Sequence, residues 1–89
     1  MVEVDGFKKW LSNNFSYSKP VVRDICSRMK RADNFLYFEN DEIYLYRLEQ
    51  LENYRLLSSS VRSQIKKSVK LYQEYMKAID NHENNVIEF

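Results

Sequence analysis

The sequence predicts an all-α fold, a compact single-domain bundle of four main helices. Three observations carry this. One glycine and one proline occur in 89 residues, so the turn signals that a succession of short strands requires are missing. Apolar residues recur at helical spacing, most clearly between Leu57 and Ile79, where Val61, Ile65, Val69, Tyr72, Met76 and Ile79 share one face. Hydrophobic residues make up 44% of the chain and charged residues 30%, which is enough for one modest core and too apolar for a disordered chain.

The first helix is predicted over Val4–Asn14, with Phe7, Trp10 and Leu11 on one face. It ends at Asn13-Asn14, residues that tolerate the left-handed conformation common at helix C-termini. Ser16 to Pro20 is then a loop, in which Ser18 is a candidate N-cap and Pro20 fits a first turn whose N–H groups have no helical partner. The second helix runs to about Leu36 and buries Val22, Ile25, Met29, Ala32 and Leu36. Lys19, Arg23, Ser27, Lys30 and Asn34 lie on a stripe about 100° away. Cys26 falls on the apolar side and reads as a small core residue.

A third helix, capped by Asn40 with Asp41 and Glu42 in its first turn, would put Tyr44, Leu48 and Leu51 on one face. Ile43-Tyr44-Leu45-Tyr46 has the composition of a strand, so helix and strand both stand there, with helix preferred. Asn53 is expected to break this segment before a short turn through Tyr54, Leu56 and Leu57. Ser58, Ser59 and Ser60 offer N-caps for the last helix, which is expected to end near Ala78 to Asp80. Residues 1–80 thus form the domain, and 81–89 are expected to be a polar tail or the start of a linker.

Charge is segregated along the chain. The net charge is +1, yet residues 18–36 hold five bases and two acids, 37–57 two bases and five acids, and 58–79 five bases and one acid. On the last helix Arg62, Lys66, Lys70, Gln73 and Lys77 form a stripe flanking the apolar face. A solvent-facing helix surface is ordinarily rich in Lys and Arg. Two such stripes, both interspersed with Ser, Asn or Gln, fit phosphate neutralisation equally well. Ser59, Ser60, Arg62, Ser63 and Lys66 lie at the start of the last helix, the part of a helix most often presented to a DNA groove.

Catalytic chemistry has little to stand on. His82 is the only histidine, Gly6 the only glycine and Cys26 the only cysteine. The chain therefore lacks a Gly-rich phosphate loop and a His/Cys set at metal-ligand spacing, and no cofactor, metal or small-molecule substrate is expected. His82 reads as a solvated residue of the tail. The longest apolar runs are too short to span a bilayer and no secretory signal follows Met1, so no membrane partner is expected and the cytoplasm is the default location. The unpaired Cys26 agrees.

Phe7-Lys8-Lys9-Trp10-Leu11 is followed by Tyr17-Ser18-Lys19-Pro20, opening a helix that ends in Phe35-Leu36. Ser60-Val61-Arg62 then leads into Ser68-Val69-Lys70-Leu71-Tyr72-Gln73-Glu74-Tyr75-Met76. This order, over about residues 7 to 77, resembles the N-terminal core-binding domain of phage integrases and other tyrosine recombinases. The chain departs from the family pattern at Pro20-Val21, where a threonine is usual, and in its strongly acidic third segment.

The resemblance implies a four-helix, SAM-like orthogonal bundle forming half of a clamp around duplex DNA. It implies DNA contacts from Lys19, Arg23, Ser27 and Lys30 on the second helix and from Ser59, Arg62, Ser63, Lys66 and Lys70 on the last. Catalysis would belong to a separate C-terminal domain, so no catalytic residue is expected in this chain. The expectation is a non-catalytic DNA-binding module. The alternative is a protein-interaction module using the same basic faces or the acidic third segment.

Overall fold

A computed structural model describes the backbone of residues 2–87 and the side chains of residues 2–80. Among the described residues five helices follow one another: α1 (Val4–Asn14), α2 (Lys19–Phe35), α3 (Tyr44–Glu49), α4 (Glu52–Arg55) and α5 (Ser59–Ile87). No strand occurs among the described residues. The all-α expectation holds, with five helical segments in place of four.

α1 has the predicted bounds, and its start is built by Glu3, whose carboxylate accepts the Gly6 N–H at 2.8 Å. Its end differs from expectation. Phe15 closes it in an extended conformation at φ −135°, and no described residue has a positive φ. Asn14 instead turns its side-chain amide back to the Trp10 carbonyl at 2.8 Å. α2 begins after Ser18 as predicted, with Pro20 in the first turn. The Ser18 side chain makes no capping bond, and the residue contributes its carbonyl, which accepts from Val22 N–H at 3.0 Å.

The third segment is helical, which decides helix over strand for Tyr44, Leu45 and Tyr46. It starts later than expected. Asn40 caps nothing; Asp41 accepts the Ile43 N–H at 3.1 Å and closes a turn that precedes α3. The break falls at Gln50-Leu51, and Asn53 lies inside α4. Leu51 is extended (φ −74°, ψ 129°) and packs against the core, so it cannot continue the helix of Tyr44 and Leu48. Burial of Tyr54 at 1% exposure then anchors the short α4.

α5 runs to Ile87, past the end expected near Ala78 to Asp80. Nothing between Asn81 and Ile87 is Gly or Pro, and a helix already nucleated extends through polar residues at a small propensity penalty. The predicted behaviour of the His82 side chain and of Glu88-Phe89 lies outside the described residues.

The core sits where α1, α2 and α5 meet. Phe7 and Leu11 of α1, Val22, Ile25, Cys26, Met29 and Ala32 of α2, and Ile65, Ser68, Val69, Tyr72 and Tyr75 of α5 are buried. The helical periodicity predicted most of these; Trp10, Val61, Met76 and Ile79 are only partly buried at its edge. An aromatic chain ties the elements together. Phe7 meets Tyr72 edge-on at 4.9 Å, Tyr72 meets Phe38 at 5.0 Å, and Phe38 meets Tyr44 at 5.0 Å, a geometry favoured by the ring quadrupoles. The Tyr44 hydroxyl donates to the Leu36 carbonyl at 2.7 Å, satisfying the C-terminal end of α2.

Candidate nucleic-acid interface

α5 opens with Ser58 accepting the Val61 N–H at 3.3 Å, so the run of serines does cap the helix. From there Ser59, Arg62, Ser63 and Lys66 follow at i, i+3, i+4 and i+7 and share one side of the helix. α4 docks on that side. The Tyr54 hydroxyl donates to the Arg62 carbonyl at 3.0 Å, and the Tyr54 ring meets Phe35 of α2 edge-on at 6.0 Å. Burial pushes the Tyr54 hydroxyl above its ordinary pKa, so it remains a donor.

The result is a cleft of about 470 Å³ between α5 and the α3–α4 corner. Arg55, Ser59, Arg62, Ser63 and Lys66 line it, together with Glu49 of α3. Two of its charges meet directly, the Lys66 ammonium being paired with the Glu49 carboxylate. A third group is left unsatisfied: Arg62 Nε is buried without a hydrogen-bond partner. Three cations, the Ser59 and Ser63 hydroxyls and one carboxylate, beside Gln50 and Tyr54, make an anion-binding surface, with Arg suited to the planar recognition of phosphate oxygens and Lys acting as a point charge.

Four of the nine residues predicted to touch DNA come together here: Ser59, Arg62, Ser63 and Lys66. Lys70 lies further along α5 and is exposed. Lys19, Arg23, Ser27 and Lys30 are all exposed on α2, outside this cleft. Lys30 lines a separate depression with Val2, Glu3, Val4 and Asp5, beside the start of α1. The two basic stripes therefore have different neighbours, one bordering α1 and the other α3 and α4.

Sequence reasoning missed Arg55 and Glu49. Both fall in a segment whose overall balance is acidic, and no periodicity links them to Arg62, because they reach the cleft from other helices. The aromatics Phe7, Tyr72 and Tyr75 are buried core residues, as their spacing indicates, and Tyr17 stacks on Phe15 at 5.1 Å. Burial raises the pKa of the Cys26 thiol, which keeps it protonated and unreactive. Among the described residues, no group of three or more His, Cys, Asp or Glu is placed to hold a metal ion, and no helix is long and apolar enough to cross a membrane.

No family model matches this chain, and neither a curated protein nor a solved structure is significantly similar to it.

Proposed function

We propose that this chain is a non-catalytic module that holds duplex DNA by its phosphates, the SAM-like core-binding part of an integrase-like protein of the cytoplasm. The observation that carries the reading is the convergence of Arg55, Ser59, Arg62, Ser63 and Lys66 in one cleft at the start of α5. Phosphate contacts of this kind supply affinity and register, and leave sequence discrimination to a few base-edge contacts. The exposed Lys19, Arg23, Ser27 and Lys30 of α2 provide a second contact to the same duplex, and Lys70 extends the first. Chemistry on the DNA would fall to a separate catalytic domain.

A second reading has its own support. Ile43 and Tyr46 are 56% and 65% exposed on the acidic third segment, a surface that suits a basic protein partner.

Titration of the protein with a labelled duplex of about 20 base pairs, followed by backbone NMR at low salt and again at physiological salt, separates the two. Shifts confined to 55–70 and 19–34 that fade with salt support the DNA reading. Arg62→Ala should weaken binding several-fold and reduce the salt slope by about 1, and Lys66→Ala should weaken binding, both with helicity unchanged. Absence of shifts at low salt overturns the reading and leaves the protein-partner surface of α3.

A further inference from the structure

The cleft at the start of α5 contains its own anion. Glu49 ends α3 and pairs with Lys66, the two side chains being 39% and 38% exposed. Three features make this pair exchangeable. A half-exposed ion pair between flexible side chains is held only weakly. Glu49 sits in the last turn of α3, where the helix dipole disfavours a negative charge. Arg62 lines the same cleft one turn from Lys66, so a second cation stands beside the place that Glu49 occupies.

Resting on the DNA reading above, we propose that Glu49 occupies the seat of one backbone phosphate, and that binding exchanges its carboxylate for that phosphate on Lys66. A phosphate group offers more acceptor oxygens than a carboxylate and can serve Lys66 and the Arg62 guanidinium together, so the exchange gains an ionic contact that Glu49 does not make. Glu49 then acts as a specificity-determining residue. It lowers the positive charge that the cleft shows to stray polyanions and yields to a duplex that brings a phosphate to this position. Because the displaced carboxylate regains a counterion, the exchange releases about one cation fewer than binding to an open lysine would.

The test is fluorescence anisotropy of a labelled duplex with the wild type, Glu49→Gln, Lys66→Gln, the double variant and Arg62→Gln, across a salt series. Circular dichroism melting verifies that each variant is folded. The expected result is that Glu49→Gln binds about 3- to 10-fold more tightly, with a salt slope steeper by about 0.9, and that Lys66→Gln in the Glu49→Gln background removes both gains. Unchanged or weaker binding by Glu49→Gln, with Arg62→Gln still impaired, overturns the exchange and leaves the DNA reading standing. Loss of binding in every form, the wild type included, overturns both.

Discussion

Gly6→Ala should reverse an ordinary rule of helix stability. In an open helix interior this change stabilises by about 0.5 to 1 kcal/mol, because alanine loses less backbone entropy on folding. Gly6 sits in the first turn of α1, directly beneath α5, and a Cβ there would run into the Tyr75 hydroxyl and the Glu3 carboxylate. Those two groups are hydrogen-bonded to each other at 2.7 Å, and the second carboxylate oxygen caps the Gly6 N–H at 2.8 Å. The backbone cannot retreat, since its neighbour Phe7 is fully buried. Glu3 is exposed and can swing out, and the Tyr75 hydroxyl must shift aside as well, so relieving the collision costs at least the two hydrogen bonds of the Glu3 carboxylate. A charged hydrogen bond is worth about 1.5 to 3 kcal/mol and an N-cap about 1 kcal/mol; halving the first for exposure to water leaves a loss of about 2 kcal/mol. After the alanine gain, the net destabilisation is about 1 kcal/mol, a fall in Tm of about 4 to 8 °C. Thermal unfolding followed by circular dichroism reads this directly. In a Tyr75→Phe background the hydroxyl is gone and the penalty should shrink toward zero. A rise in Tm for Gly6→Ala, or the same penalty in both backgrounds, would refute the close-approach account.

The same cluster sets a pH dependence. The Gly6 N–H, followed by the Tyr75 hydroxyl, holds the Glu3 carboxyl below its ordinary value of 4.5. A lowered acid contributes stability that is complete above its unfolded pKa and is lost as pH falls through the folded one, so acid unfolding should begin below 4.5 and be blunted in Glu3→Gln. Tyr75 shows the opposite edge, since burial and then Glu3 push it from 10.0 up to about 12. Its contribution is complete below 10 and lost toward 12, and alkaline melting of Tyr75→Phe should lack that slope. Ile65→Ala empties a fully buried position on α5 and should lower stability by about 2 to 5 kcal/mol in urea titration. Tyr54→Phe removes the donor to the Arg62 carbonyl, with an expected loss of about 0.5 to 1.5 kcal/mol and a few-fold weaker grip on duplex DNA as α4 and Arg55 loosen.

Helix composition and helical faces were legible in the sequence, because they depend on residues three and four apart. The bounds of α1, the start of α2, and the buried positions Val22, Ile25, Met29, Ile65, Val69 and Tyr72 follow from local spacing alone. The same locality placed Ser59, Arg62, Ser63 and Lys66 on one side of α5. Segment ends were less legible. The division at Leu51 arises because that side chain and Tyr54 are drawn into the core, a pull that no residue near Asn53 announces.

Only the tertiary structure decided which charges share a surface. Lys30 and Lys66 belong to stripes of the same pattern, yet one borders the start of α1 and the other meets Glu49 of α3. Arg55 joins Arg62 through the docking of Tyr54, and Gly6 is glycine because Tyr75, far along the chain, approaches it. Periodicity fixes which way a side chain leaves its own helix, and the sequence by itself determined that much. What that side chain meets is set by how separate helices pack across the shared core, a long-range outcome with no local signature.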